Sequence, residues 1–345
     1  MIRHQFQNPI ERDGKELEFA KYVRMHKEQQ EPTSPKLVDS IKHEFYDTHS
    51  EISEPNLEKA WDFIAPRLSD NVGLAEFIKD NDGHKSKFFF PWLINVFKSP
   101  ATALEISYGA GPDLNDEWHE DIMDTDDPIV PFVKDDPAFV YNRERQLFVA
   151  DLVASVQDLA PKDTAAKVVD FGAGRLAWYR RYGFKEFPSK PTIYAFDRDP
   201  SIRPEELFTE DLEDLGIFYK HGDFTRQFAN PDCANANLII LGGVVSYISP
   251  TDFSDKIVGI IYQFLKPGGA FFFDLQLDTP CYQHSMDILG WPEFNIPETV
   301  SEVIDRIEDM LRTLRQKGIK FSAEYHVDSY NQAPSAVMVV LQKLS

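Results

Sequence analysis

From Lys167 onward the chain repeats one pattern, a short apolar run closed by turn residues and followed by a stretch with helical spacing. The runs are Lys167–Phe171, Thr192–Phe196, Leu238–Leu241 and Ala270–Leu275. Each is short and nearly continuous in apolar character, which suits strands buried on both faces of a parallel sheet flanked by helices. A further short strand fits Gly216–Tyr219. The segment 299–316 sets Val300, Val303, Ile304, Ile307, Met310, Leu311 and Leu314 on one helical face and stops at Gly318. Two last strands, Lys320–Val327 and Ser335–Gln342, are joined by a linker short enough for a hairpin, so the final strand should run antiparallel. The second half is therefore expected to be an α/β domain built on seven strands, mostly parallel, with an antiparallel terminal hairpin.

The first half reads differently. Leu17, Phe19, Ala20, Val23 and Met25 fall loosely on one face, and Leu57, Ala60, Trp61, Ile64 and Leu68 recur at steps of three and four. The run Phe88–Phe97 must be buried against something, and Gly109–Pro137 is rich in Pro, Gly and Asp, as a loop or lid would be. A helix with Phe148, Leu152, Val156 and Leu159 on one stripe leads into the strand–helix region and breaks at Pro161. The expected division is a helical, substrate-covering region over 1–145 and an α/β domain over 146–345.

Composition limits the partners. The formal net charge is −21, so neither nucleic acid nor an anionic membrane is expected as the main partner. Aromatic residues make up 13% of the chain, 27 of them Phe, enough to line an apolar small-molecule cavity as well as a core. Cys233 and Cys281 form no CxxC pair, and Trp118-His119-Glu120-Asp121 has no second His at ligand spacing, so no metal site is expected. The start of the chain lacks the apolar core of a signal peptide and no stretch is long enough to span a membrane, which points to the cytoplasm.

Five segments carry the chemistry. Val168-Val169-Asp170-Phe171-Gly172-Ala173-Gly174 ends a strand in an acid and then two glycines, where backbone can bend tightly and approach a ligand at a sheet edge. Asp197, with Arg198 after it, ends the next strand and suits a grip on ribose hydroxyls. Asp223-Phe224 follows the third strand, where the acid can accept from an adenine amino group and the ring can pack on the base. Leu238–Leu241 opens into Gly242-Gly243, so backbone can flank a ligand there. Leu265-Lys266-Pro267-Gly268-Gly269 makes the turn that enters the fifth strand.

In this order the five segments resemble the class I S-adenosylmethionine (SAM) dependent methyltransferases, over about residues 145–345. The resemblance implies a Rossmann-like fold and SAM as the bound group. It also implies that Asp170, Gly172, Ala173 and Gly174 contact the methionine part, Asp197 the ribose and Asp223 the adenine. The chain departs from the family pattern at Leu176, where a third glycine is common, and continues into Ala177-Trp178-Tyr179. Aromatic faces there can attract a sulfonium or pack the following helix, and Arg175 can clamp a carboxylate or pair with an acid. Tyr141 and Asn142 precede the domain where family members often cover the cofactor. Tyr282 and His284 follow the fifth strand, His284 being the more usual base.

Three readings of function remain open at this level. Methyl transfer to a small molecule needs mainly alignment and a dry cavity. Attack at the carbon beside sulfur on the amino-acid side would release methylthioadenosine. The chain then resembles nicotianamine synthases, or azetidine-2-carboxylate synthases in which SAM closes on itself, and Tyr179, Asn142 or Ser246 would orient the amine. The third reading is a non-catalytic SAM-fold binding protein, against which the glycine loop and Asp197 count.

Overall fold

The structure, a computed structural model, describes residues 33–50, 52–70, 72–80, 137–161, 164–182, 190–200, 202, 204–208, 210–223, 231–277, 299–330 and 333–344. The chain divides into two compact units, one built on Arg143–Asp278 and Glu293–Ser345, the other on Ile10–Asn142 and Thr279–Pro292.

The first unit holds one seven-stranded sheet of order β3-β2-β1-β4-β5-β7-β6. Its strands are β1 Lys167–Phe171, β2 Thr192–Asp197, β3 Ile217–His221, β4 Ala236–Leu241, β5 Leu265–Gln276, β6 Phe321–Tyr330 and β7 Ala333–Lys343. β1 to β5 pair in parallel, whereas β7 runs antiparallel to both β5 and β6. The expected architecture is thus met strand for strand. Tyr330 pairs with Ala333, so the terminal hairpin is tighter than its sequence suggested. The Pro-Gly-Gly segment was expected to precede the fifth strand, yet β5 already begins at Leu265. Ala236 pairs with Leu265 and Leu238 with Ala270, so Lys266–Gly269 is looped out of register inside the strand.

Both faces of the sheet are covered, and the period of two shows it. Phe271, Phe272 and Phe273 are consecutive and all fully buried. Phe271 and Phe273 join the cluster formed with α6 (Pro250–Phe264) and α7 (Val300–Gln316), where Phe253 lies 5.9 Å from Phe273. Phe272 points the other way and meets Phe148 of α4 (Pro137–Asp158) at 5.5 Å. Helix α7 starts because Thr299 accepts from the N–H of Glu302 (3.2 Å), and it stops where Gly318 turns to φ +77°. It buries Val303, Ile307, Met310, Leu311 and Leu314. Two expectations of burial fail: Ile304 is 40% exposed and Leu159, one residue past the end of α4, is 79% exposed. Ile304 adjoins the buried stripe without entering it, and Leu159 lies beyond the last helical turn, so neither faces the sheet.

In the second unit the described elements are α1 Pro35–Thr48, α2 Glu54–Asp70 and α3 Val72–Asp80. The stripe Leu57, Ala60, Trp61, Ile64 and Leu68 is buried as expected, and Phe45 meets Trp61 at 6.0 Å. The segments 17–25, 88–97 and 109–136 read above lie outside the described residues. Among the described residues no helix is long and apolar enough to cross a membrane.

Replacing Phe272 by Ala deletes a ring packed between the sheet and α4. Equilibrium denaturant unfolding should show a loss of about 3–5 kcal/mol, and a loss below about 1 kcal/mol would mean that α4 is not seated on the sheet as described.

Candidate active site

The C-terminal edge of β1, β2 and β3 gathers the acids singled out from the sequence. Asp170 pairs in register with Ala195 and Ile240, and Asp197 with His221. The chain bends sharply after β1 because Gly172 and Gly174 take φ +78° and +52°. The N–H groups of Gly172 and Ala173 both donate to the carbonyl of Phe196 (2.7 and 3.0 Å). The next N–H, that of Gly174, donates to Oδ2 of Asp197 at 2.9 Å, while Oδ1 accepts from Asp199 N–H at 2.9 Å. On the far side, Gly222 N–H donates to the Asp197 carbonyl (2.7 Å), which sets Asp223 next to β2. The three acids therefore form a row along one edge.

Tyr219 was not singled out from the sequence, yet its hydroxyl donates to the carbonyl of Gly174 at 3.0 Å. Burial, and then the nearby carboxylates Asp197 and Asp170, push its phenol above the ordinary tyrosine range, so it stays a donor. Position 219 in β3 offered no signal beyond an aromatic in a strand. Asp197 is also shifted upward, chiefly by burial, against which the N–H groups of Asp199 and Gly174 pull down.

Asp170 is strongly perturbed. It is buried, and its carboxyl rises from 3.8 to about 7. Burial is the main cause. The Trp178 indole N–H, which donates to Oδ2 at 2.8 Å, pulls down, Asp197 pushes up, and Arg145 pulls down. Trp178 and Tyr179 are both buried. Trp178 spends its polar handle on Asp170, and Tyr179 packs 5.9 Å from Phe208, with burial raising its phenol. Arg175 is buried beside them. At Leu176 the chain keeps the backbone of the missing glycine, φ +58°, while burying a leucine side chain. A left-handed conformation at such a residue costs about 1–2 kcal/mol, so the surrounding packing must hold it.

The exit of β4 is shaped by Arg145 of α4. A Cβ on Gly243 (φ +73°) would sit 2.9 Å from Nη1 of Arg145, and one on Gly242 would lie 3.8 Å from its Cδ. Nη1 donates to Oδ2 of Asp274 at 2.9 Å, and Oδ1 of the same carboxylate accepts the Gly243 N–H at 2.6 Å. Gly243 therefore makes room for a guanidinium, whereas a Cβ on Gly242 would make only ordinary contact. Beyond them a short 3-10 turn, Val245–Tyr247, holds Ser246 buried and places the Tyr247 ring 4.6 Å beneath the guanidinium of Arg198. Asn142 lies in the other unit, buried, and its Oδ1 accepts no hydrogen bond. Phe224, Tyr282 and His284 lie outside the described residues. Among the described residues no group of three or more His, Cys, Asp or Glu is placed to hold a metal.

No protein-family profile matches the chain, and no curated protein sequence matches it. Solved structures resemble it in fold. The methyltransferase domain of bacterial CtHen1-C is 12% identical, over 59% of this chain and 99% of its own, with a TM-score of 0.44. The CurJ carbon methyltransferase is 11% identical, over 79% and 71%, with a TM-score of 0.47. Magnesium protoporphyrin IX methyltransferase from Synechocystis PCC 6803, with bound SAH, is 12% identical, over 59% and 85%, with a TM-score of 0.40. The strand order described above, rather than these scores, carries the fold.

Two outcomes follow from this geometry. A Cβ on Gly172 would collide with Cγ1 of Val244, whereas one on Gly174 meets nothing within 4 Å. Gly174→Ala should therefore lose about 1–2 kcal/mol by backbone strain alone, and Gly172→Ala should lose clearly more; equal losses in thermal unfolding would mean that Val244 does not cover the loop. The second concerns pH. Because the folded-state value of Asp170 lies above its ordinary 3.8, its contribution to stability is complete below about pH 4 and is lost as pH rises through about 7. Asp170→Asn, which still accepts from Trp178, should gain on the ligand-free wild type by up to about 4 kcal/mol at pH 8, with the gap closing toward pH 4. A constant gap across that range would refute the assignment.

Proposed function

We propose that the protein binds SAM across the edge of β1, β2 and β3 and transfers its methyl group to a small molecule. The observation that carries this reading is the loop 172–174 folded against Phe196, with the Asp197 carboxylate 2.9 Å from the Gly174 N–H. The residues present fit the ligand. A carboxylate has about four lone-pair sites, so Asp197, which uses two on backbone N–H groups, retains two for a pair of ribose hydroxyls. Asp223, two residues past the end of β3, would accept from an adenine amino group. Asp170 accepts one hydrogen bond, from Trp178, and keeps an oxygen for the cationic methionine end.

When bound, SAM supplies a methyl carbon already activated by the sulfonium. The chain's own task is then alignment and exclusion of water, with the acceptor held in line. A small acceptor suits a protein of net charge −21, which would repel a polyanion. The second-half unit alone provides the nucleoside edge; the acceptor's identity belongs to the residues that enclose it.

Mass spectrometry of the protein incubated with SAM tests the reaction. S-adenosylhomocysteine formed only on adding an acceptor supports methyl transfer. Methylthioadenosine formed from SAM alone would assign the attack to the carbon beside sulfur on the amino-acid side. Asp197→Ala should weaken SAM binding at least about 10-fold in calorimetry, since each lost hydrogen bond to a charged group is worth about 1.5–3 kcal/mol. Unchanged affinity would remove the ribose assignment.

A further inference from the structure

The sheet has two edges, and they are protected unequally. At one, β3 is only five residues long, carries Lys220, and is tied through the Tyr219 hydroxyl to the loop that leads into α5 (Ala177–Tyr182). At the other, β6 runs for ten residues with no Pro or Lys, and its one irregularity comes late, between Asp328 and Ser329. Among the described residues no strand pairs with its outer side. A long, regular, unpaired strand is a ready template for another strand. Which groups face outward follows from the pairing. Leu344 N–H donates to the Lys320 carbonyl at 2.8 Å, and the same register continues along β6 to Asp328. The even-numbered residues therefore turn their N–H and C=O groups to β7, whereas Ala323 and Tyr325 turn theirs away. Side chains alternate as well. Ser322, Glu324 and His326 lie on the α4 side, with His326 5.1 Å from Phe148, and Phe321, Ala323 and Tyr325 pack against the cluster that includes α7.

We propose that β6 is the seam of a two-fold dimer, in which β6 of one copy pairs antiparallel with β6 of a second, centred on Tyr325, so that the two sheets continue as one. Outward-facing residues must oppose outward-facing residues, which restricts a self-paired strand to odd against odd and even against even. Centred on residue 324, the seam would set two Glu324 carboxylates against each other. Centred on Tyr325, it sets each Glu324 opposite His326 of the other copy, and symmetry makes that pair twice. These pairs fall between the hydrogen-bonded positions, where facing side chains come closest. An imidazole N–H donates to a carboxylate, and complementary pairs so placed select one register over its neighbours. The occupant is a second copy of this chain because the stretch Glu324-Tyr325-His326 is its own complement. Nothing in this seam depends on the SAM reading. The net charge of −21 on each copy opposes association at low ionic strength, so the seam is to be measured at about 0.15 M salt, where charges more than about 8 Å apart are screened.

Sedimentation velocity of the full chain should show a monomer–dimer equilibrium in the micromolar range. Glu324→Lys removes both acceptors and His326→Glu sets carboxylates against each other, so each should weaken dimerisation about 10-fold or more. Mixed in equal amounts, the two variants should recover affinity to within a few-fold of the wild type, because each new charge then meets its complement. Hydrogen exchange of the wild type needs no substitution and decides the matter should a variant fail to fold: the segment 321–326 should exchange several-fold more slowly at high protein concentration than at low. A wild type that stays monomeric up to about 100 μM overturns the proposal. So does a dimer in which 321–326 gains no protection, or in which both single variants dimerise like the wild type, since another surface would then hold it. Variants that weaken the dimer but do not recover on mixing overturn the register centred on Tyr325.

Discussion

Three successive N–H groups, those of Gly172, Ala173 and Gly174, are spent on the end of β2, two on the Phe196 carbonyl and one on the Asp197 carboxylate. Without them the chain leaving β1 would have no reason to fold back over its neighbour. With them, the loop, the acid of β2 and the start of the segment after β3 become one rigid edge. Tyr219 adds a fourth tie from β3 to the Gly174 carbonyl. Each tie uses backbone on at least one side, so the edge is insensitive to most side-chain variation. It depends on glycine at the position where Val244 leaves no room for a Cβ.

Buried charge is distributed around that edge with little redundancy. Arg145 and Asp274 form a buried ion pair that ties α4, the β4 exit and β5 together. Such a pair adds little net stability, because desolvation offsets the attraction, but breaking it would strand a charge. Its consequence is positional: with the guanidinium committed to Asp274, Asp170 is left with an indole and a strongly raised carboxyl. The left-handed Leu176 is a second sign that local conformation is imposed by the surroundings here.

The high aromatic content could have served a ligand cavity or a core, and among the described residues it mostly serves the core. Phe171, Phe196, Phe271, Phe272 and Phe273 are fully buried in the sheet, and Trp178 and Tyr179 turn inward as well.

The sequence by itself determined the strands, their order of types, the antiparallel end and the placement of Asp170 and Asp197 at the ends of the first two strands and of Asp223 just after the third. These are local properties: short apolar runs, turn residues and positive-φ glycines act within a few residues of where they stand. Boundaries slipped where local signals compete, as at Lys266–Gly269, whose turn residues are absorbed into β5. The pairing of Arg145 with Asp274, 129 positions away, the Trp178 bond to Asp170 and the Tyr219 bond to Gly174 were decided only by the tertiary structure. Which donor reaches which carboxylate depends on how helices and strands distant in sequence are brought together, and a buried acid's proton affinity depends on that choice.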